Sequence, residues 1–133
     1  MPAAERFLDT NILLYLLSGN SDRADQAERE MDAGAVVSVQ VLNEFTSVAV
    51  RKLRMQIADI REVLDAVRAS CECVPVTIET HDTGLALAEK HQLPVYDAMI
   101  VASAQLSGCR VLVSEDFSDG QRFKQLVVRN PFR

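Results

Sequence analysis

Asp97-Ala98-Met99-Ile100-Val101-Ala102-Ser103-Ala104 is followed by Gly108 and then by Arg110-Val111-Leu112-Val113-Ser114. The first run is apolar on almost every side, so as a helix it belongs in the centre of a domain. Gly108 ends it, and the second run reads as a short buried strand. Upstream, a helix near Thr80 to His91 stops before Pro94, and Cys73 to Val76 reads as a strand. A helix from about Gln56 to Ser70 carries Ile57, Ile60, Leu64 and Val67 at helical spacing, and another runs from about Val39 to Leu53 with Val41, Leu42, Phe45, Val48 and Ala49 inward. Ala35 to Ser38 is a strand; Ser21 or Asp22 can cap a helix closed by Gly34. Arg6 to Leu8 is a strand leading into a helix from near Thr10 to Leu17, and Leu126 to Arg129 is a last strand. Strands alternating with helices predict parallel pairing with helices on both faces. The expected fold is one three-layer α/β/α domain over residues 1–133, built on a short parallel sheet of about five strands.

Composition sets limits on function. The chain has 133 residues, 48% of them hydrophobic, and no Trp, so aliphatic side chains must fill the core. Met55 and Met99 read as core filling. The start, Met1-Pro2-Ala3-Ala4-Glu5-Arg6, lacks a signal-peptide pattern, and no apolar run is long enough to span a bilayer. Cys71, Cys73 and Cys109 have no zinc-site spacing and read as reduced thiols, which points to the cytoplasm. The formal charge is −5, from 14 basic and 19 acidic residues. Five of the acids are Asp9, Glu44, Asp97, Asp116 and Asp119; without them the charges balance, so the acidity equals one candidate site. A polyanionic substrate is therefore not excluded.

Those acids lie where strands end or helices begin. Asp9 follows Phe7-Leu8, Asp116 follows Val111-Leu112-Val113 closely, and Asp97 opens the central helix. In parallel sheets the working groups gather beyond the carboxyl ends of the strands. Carboxylates about 4 Å apart repel by about 4 kcal/mol per pair at an effective dielectric near 20. Gathering them makes sense around a divalent cation, and oxygen-only ligands suit Mg²⁺ or Mn²⁺. Glu44 lies seven residues before Arg51, about 20° away around a helix axis. Arg51 is thus placed to hold a substrate phosphate while Glu44 holds metal. Singly, each acid has a plainer role: Asp9 and Asp97 as helix caps, Glu44 on a solvated face, Asp116 and Asp119 in a surface turn. His81 and His91 read as solvated or capping.

Phe7-Leu8-Asp9-Thr10-Asn11-Ile12-Leu13, Asn43-Glu44, Tyr96-Asp97-Ala98-Met99-Ile100-Val101-Ala102-Ser103-Ala104 and Leu112-Val113-Ser114-Glu115-Asp116-Phe117-Ser118-Asp119-Gly120 together resemble the PIN-domain ribonucleases. Within them the chain is similar to the VapC-type toxins of bacterial toxin–antitoxin pairs. The resemblance runs from Phe7 almost to the end and includes Val127-Val128-Arg129-Asn130-Pro131-Phe132 as the last strand and tail. It implies a Mg²⁺- or Mn²⁺-dependent endoribonuclease with Asp9, Glu44 and Asp97 as its first three acids. Asp116 is favoured as the fourth, nearer the metal, with Asp119 as a helper. Asn11 would orient Asp9 or a water, and Ser114 would polarise a bound water or phosphate. The implied chemistry is hydrolysis of RNA by metal-activated water. A homodimer and a VapB-type antitoxin are implied as partners, with helices 10–17 and 39–53 as the antitoxin surface.

Other classes fit less well. A haloacid-dehalogenase-like phosphatase also places an Asp after its first strand but needs a second Asp two residues later, where this chain has Asn11. Such an enzyme also wants a lysine at the end of the sheet, as does a receiver domain, and Lys124 lies past the last acidic block. A non-catalytic α/β binding module would have no need of all four acids.

Overall fold

The computed structural model of the chain describes residues 5–133; Met1 to Ala4, part of the stretch without a signal-peptide pattern, lie outside the described residues. Strands β1 (Arg6–Leu8), β2 (Ala35–Ser38), β3 (Cys71–Val74), β4 (Val111–Val113), β5 (Arg122–Phe123) and β6 (Leu126–Arg129) form one sheet in the order β3-β2-β1-β4-β6-β5. Five of them run parallel, as expected; β5 adds a sixth, antiparallel to β6. The helices are α1 (Thr10–Leu14), extended by a 3₁₀ turn at Tyr15–Leu17, then α2 (Ser21–Asp32), α3 (Val39–Arg51), α4 (Ile57–Ser70), α5 (Ile78–His91) and α6 (Val95–Leu106). From β1 to β3 the chain steps across the sheet in one direction through α1–α4, then returns to β4 through α5 and α6. Right-handed crossovers put those two sets of helices on opposite faces. The packing agrees: α5 lies along α6, while α1 touches α2 and α3, and α4 touches α2 and α3.

The α6 helix takes the central place that its composition demands. Every residue from Ala98 to Ala104 is buried, and the helix touches β2, β4 and α5. Each large apolar side chain buried this way stabilises the fold by about 1.5–3 kcal/mol. Close approach of α5 depends on Gly84, since a Cβ there would run into the thioether of Met99. Gly108 ends α6 at φ +76, in the left-handed region that costs glycine little.

Several boundaries differ from the sequence reading. The third strand begins at Cys71, not Cys73, because α4 passes into it with no intervening turn. Asn20, not Ser21 or Asp22, caps α2, accepting from the N–H groups of Asp22 and Arg23. A capping box between Thr77 and Thr80 starts α5 two residues early. Most consequential, α6 begins at Val95, after Pro94, so Asp97 is the third helical residue rather than the cap. Cys71 and Cys109 are buried and Cys73 is half-buried, with no disulfide among them. Burial pushes the Cys71 and Cys109 thiols up to about 11. No helix among the described residues is long and apolar enough to cross a membrane.

Candidate active site

Asp9 follows β1 directly, and its backbone N–H continues the ladder by donating to the Val113 carbonyl at 3.0 Å. Ser114 follows β4, the neighbouring strand, in the same way. With β2 on one side of β1 and β4 on the other, this is the point where the chain's course across the sheet reverses, and a crevice opens there at the carboxyl ends. Asp9 is only 4% exposed. Its Oδ1 accepts from the Thr10 N–H at 2.7 Å, capping α1, and its Oδ2 accepts from the Ser114 hydroxyl at 2.8 Å. Ser114 Oγ accepts in turn from the Asp116 N–H at 3.0 Å and from Asn11 Nδ2 at 3.4 Å. Asn11 Oδ1 accepts from the Glu115 N–H at 3.5 Å. The Ser114 hydroxyl thus holds Asp9 and the loop after β4. Asn11 orients Asp9 through Ser114 rather than by touching it.

Glu44 comes from the middle of α3 and is half-buried. Its Oε1 accepts from the Thr10 hydroxyl at 2.6 Å, and its Oε2 from Gln40 Nε2 at 3.2 Å. The same Gln40 amide donates to the Tyr96 carbonyl at 3.1 Å, tying α3 to the start of α6. Asp97 caps nothing, so its carboxylate remains available to the crevice. Asp116 and Glu44 act on both Asp9 and Asp97. Burial pushes Asp9 up to about 7; hydrogen bonds from Ser114 and Thr10 oppose this, and the charges of Asp116 and Glu44 add to it. Asp97 is also raised, by burial first and then by Asp116 and Glu44.

The sequence pattern of the PIN domain matches residues 6–124. The chain belongs to the PIN domain family. Three solved structures share the fold of this PIN domain. A toxin–antitoxin complex from Klebsiella pneumoniae has a chain 22% identical, TM-score 0.71, with 95% of this chain and 97% of that one covered. VapBC2 from Rickettsia felis, bound to a promoter DNA fragment, is 19% identical, TM-score 0.69, over 94% and 97%. The Mycobacterium tuberculosis toxin VapC20, described as cleaving the sarcin–ricin loop, is 18% identical, TM-score 0.64, over 84% and 91%. No curated protein sequence matches the chain.

The donor atoms of the PIN-domain crevice are carboxylate, hydroxyl and amide oxygens, a set for a hard cation. Among the described residues no three His, Cys, Asp or Glu side chains close into a ready-made ligand cluster. Glu44 turns its oxygens to Thr10 and Gln40, and repulsion between like charges favours an open arrangement of the acids. An open arrangement still fits Mg²⁺, which keeps several of its waters and binds through one or two carboxylates.

Arg51 lines the same cavity of about 320 Å³ as Glu44, Asp116 and Thr10, so the predicted stripe along α3 faces the crevice. Its Nε donates to Ser47 Oγ at 3.1 Å. Asp119 is placed differently from Asp116. Its Oδ1 accepts from the Asn130 N–H at 2.8 Å on an exposed surface, so it secures the tail. His81 lines a separate cavity beside α3, and His91 stacks edge-on against Phe123. Thr10 and Gln40 were missed from sequence, although Gln40, four residues before Glu44, shares its helix face.

A second group went unread because its members lie far apart in the chain. The Arg23 guanidinium sits 4.1 Å from the Phe132 ring centroid and 5.4 Å from that of Tyr15. It also pairs with Glu115 at 3.1 Å, and Tyr15 hydrogen-bonds the same carboxylate. Glu115 neighbours Asp116, so this clasp positions the loop that carries it. Arg23→Ala should loosen the loop that carries Asp116, read as faster amide hydrogen exchange at Glu115 and Asp116. Stability should change by under about 1 kcal/mol, because the ion pair is largely solvated. Unchanged exchange at equal fold content would show that the loop holds its place without Arg23.

Proposed function

We propose that this PIN domain is a divalent-metal-dependent endoribonuclease and the toxin of a VapBC-type toxin–antitoxin pair. One observation carries this: at the carboxyl ends of the strands, Asp9 and Asp97 each feel the charges of Asp116 and Glu44, while Glu44 and Asp116 line one cavity. Asp9, Asp97 and Asp116, with Glu44, are the residues to hold Mg²⁺ or Mn²⁺. Such an ion supplies a water acidified toward neutral pH and positive charge at a scissile phosphate. The chain's own groups do the rest. Ser114 fixes Asp9, the Thr10 and Gln40 donors hold Glu44, and Arg51 takes a phosphate oxygen by a forked contact. The burial of Asp9 limits water around the reacting groups, where electrostatic stabilisation is strongest.

The proposed partners follow from the same comparisons, since the structural relatives from Klebsiella and Rickettsia are toxin–antitoxin assemblies. A mostly apolar groove of about 320 Å³ runs along Leu14, Leu17, Val48 and Leu53 and reaches Asn11 and Glu115 at the crevice. It joins the two helices expected to receive an antitoxin segment. A homodimer in the cytoplasm completes the proposal.

The test is metal-dependent cleavage. Purified protein with Mg²⁺ or Mn²⁺ should cut RNA, excess EDTA should stop it, and Asp97→Asn should lose it while keeping the wild-type circular dichroism spectrum. Full activity in EDTA, or in the Asp97 variant, would refute the mechanism. Sequencing the RNA ends made during induced expression identifies the target.

A further inference from the structure

Glu44 stands in the wall between two cavities. On one side lies the polar one shared with Arg51 and Asp116. On the other, a wider cavity of about 630 Å³ opens between α3 and the start of α6. Its walls are apolar, from Val39, Val76 and Val95, and its rim carries the Tyr96 ring, 69% exposed. Two amides, Gln40 and Asn43, line the same space. Gln40 is held in place by its bonds to Glu44 and to the Tyr96 carbonyl.

A largely apolar slot with an exposed aromatic ring, one fixed amide at Gln40 and a second, exposed one at Asn43 matches the chemistry of an unpaired nucleobase. Single-stranded RNA is recognised by stacking splayed bases on aromatic side chains and by hydrogen bonds to the base edges. The polar cavity holds Arg51, the proposed phosphate contact, and the two cavities meet at Glu44. We infer that the cavity bounded by Tyr96, Gln40 and Asn43 is a nucleobase subsite, holding the base of a nucleotide that flanks the scissile phosphate. The inference rests on the nuclease reading and adds to it the groups that choose the cut position. Tyr96 stacks on the base, and Gln40 Oε1 and the Asn43 amide read its edge. Tyr96 stands beside Asp97, so a stacked base would register its neighbouring phosphate against the acids.

The test digests a random-sequence single-stranded RNA pool with the full chain in Mn²⁺, comparing wild type, Tyr96→Ala and Tyr96→Phe, and sequences the cut ends. Wild type should show a base preference at one position flanking the cut. Tyr96→Ala should flatten that preference and raise KM for a preferred oligonucleotide roughly ten- to hundredfold, as lost base stacking does. Its kcat should stay within about threefold, and Tyr96→Phe, which keeps the ring, should retain both preference and KM. Replacing the preferred base by an abasic nucleotide should raise the wild-type KM as much and leave that of Tyr96→Ala unchanged. Wild-type preference and KM in Tyr96→Ala would overturn the subsite. So would a fall in its solution mass from dimer to monomer, which would make this face a contact between two copies. A wild-type protein that cuts no RNA in Mn²⁺ would instead remove the nuclease reading itself, and the subsite with it.

Discussion

Asp9→Asn is expected to slow RNA cleavage at least about 10²–10³-fold while making the metal-free protein harder to unfold at neutral pH. Both effects come from one buried carboxylate. Burial pushes its pKa to about 7, against an ordinary value of 3.8. Between those values the folded chain keeps a proton that the unfolded chain has released, so stability falls as pH rises through the window. A shift of that size corresponds to at most about 4 kcal/mol. Asparagine can still cap α1 and meet Ser114, and it carries no charge to bury. Melting curves in EDTA at pH 5 and pH 7.5 should show wild type losing stability across the interval and the variant losing much less. Mn²⁺ at 100 times its dissociation constant should then restore about 2.7 kcal/mol to wild type at the higher pH and little to the variant. Equal pH slopes in the two proteins would mean that Asp9 is not the group responsible. Wild-type cleavage rates would remove it from the mechanism.

The opposite sign is expected at Glu30. This side chain of α2 is buried and binds both Arg6 at β1 and Arg129 at β6; Arg129 Nη2 lies 2.7 Å from its Oε1, and Gln26 Nε2 lies 2.8 Å from its Oε2. Arg6 also donates to the Glu30 and Gly34 carbonyls, so the cluster pins the end of α2 to the sheet. Burial by itself would raise the Glu30 pKa, but Arg129, Arg6 and Gln26 outweigh it and leave it below the ordinary value of 4.5. Its contribution is therefore complete at neutral pH and drains away as pH falls through the lowered value. Glu30→Ala leaves two guanidinium groups without their partner. Breaking a buried pair costs 3–5 kcal/mol, and partial exposure of Arg129 brings the expectation to about 2–4 kcal/mol. At this chain length that is a fall in Tm of roughly 10 °C. Calorimetry at pH 7 should show that fall, with a smaller gap between variant and wild type in acid. A Tm within about 2 °C of wild type would leave the cluster without a role in stability.

Much of this organisation was legible because the relevant signals are local. The all-apolar run from Ala98 to Ala104 required a central helix, and Phe7-Leu8-Asp9 required an acid at a strand end. Where local pattern ran out, so did the reading. Arg122–Phe123 is a two-residue strand, turning back through Lys124 at φ +58 without the glycine or asparagine that marks such hairpins. Cys71 and Glu72 could not be assigned to β3 because no turn residue separates them from α4. Pro94 moved the start of α6 back, which released Asp97 from the capping role that spacing also allowed. Asp116 and Asp119 look alike in sequence; only Asn130, eleven residues further on, distinguishes them. The Arg23 clasp joins residues from α2, the loop after β4 and the tail, a contact that no window along the chain contains.

The bond from Ser114 to Asp9 spans 105 positions of chain. On a ribosome, β1 leaves the exit tunnel early and must wait beside β2 and β3 for its other neighbour, β4, which is made only after α6. Until β4 docks, Asp9 lacks the hydroxyl that aims it, and the loop bearing Asp116 has not been made. A growing polypeptide of this kind has no complete acidic crevice until most of its length has emerged.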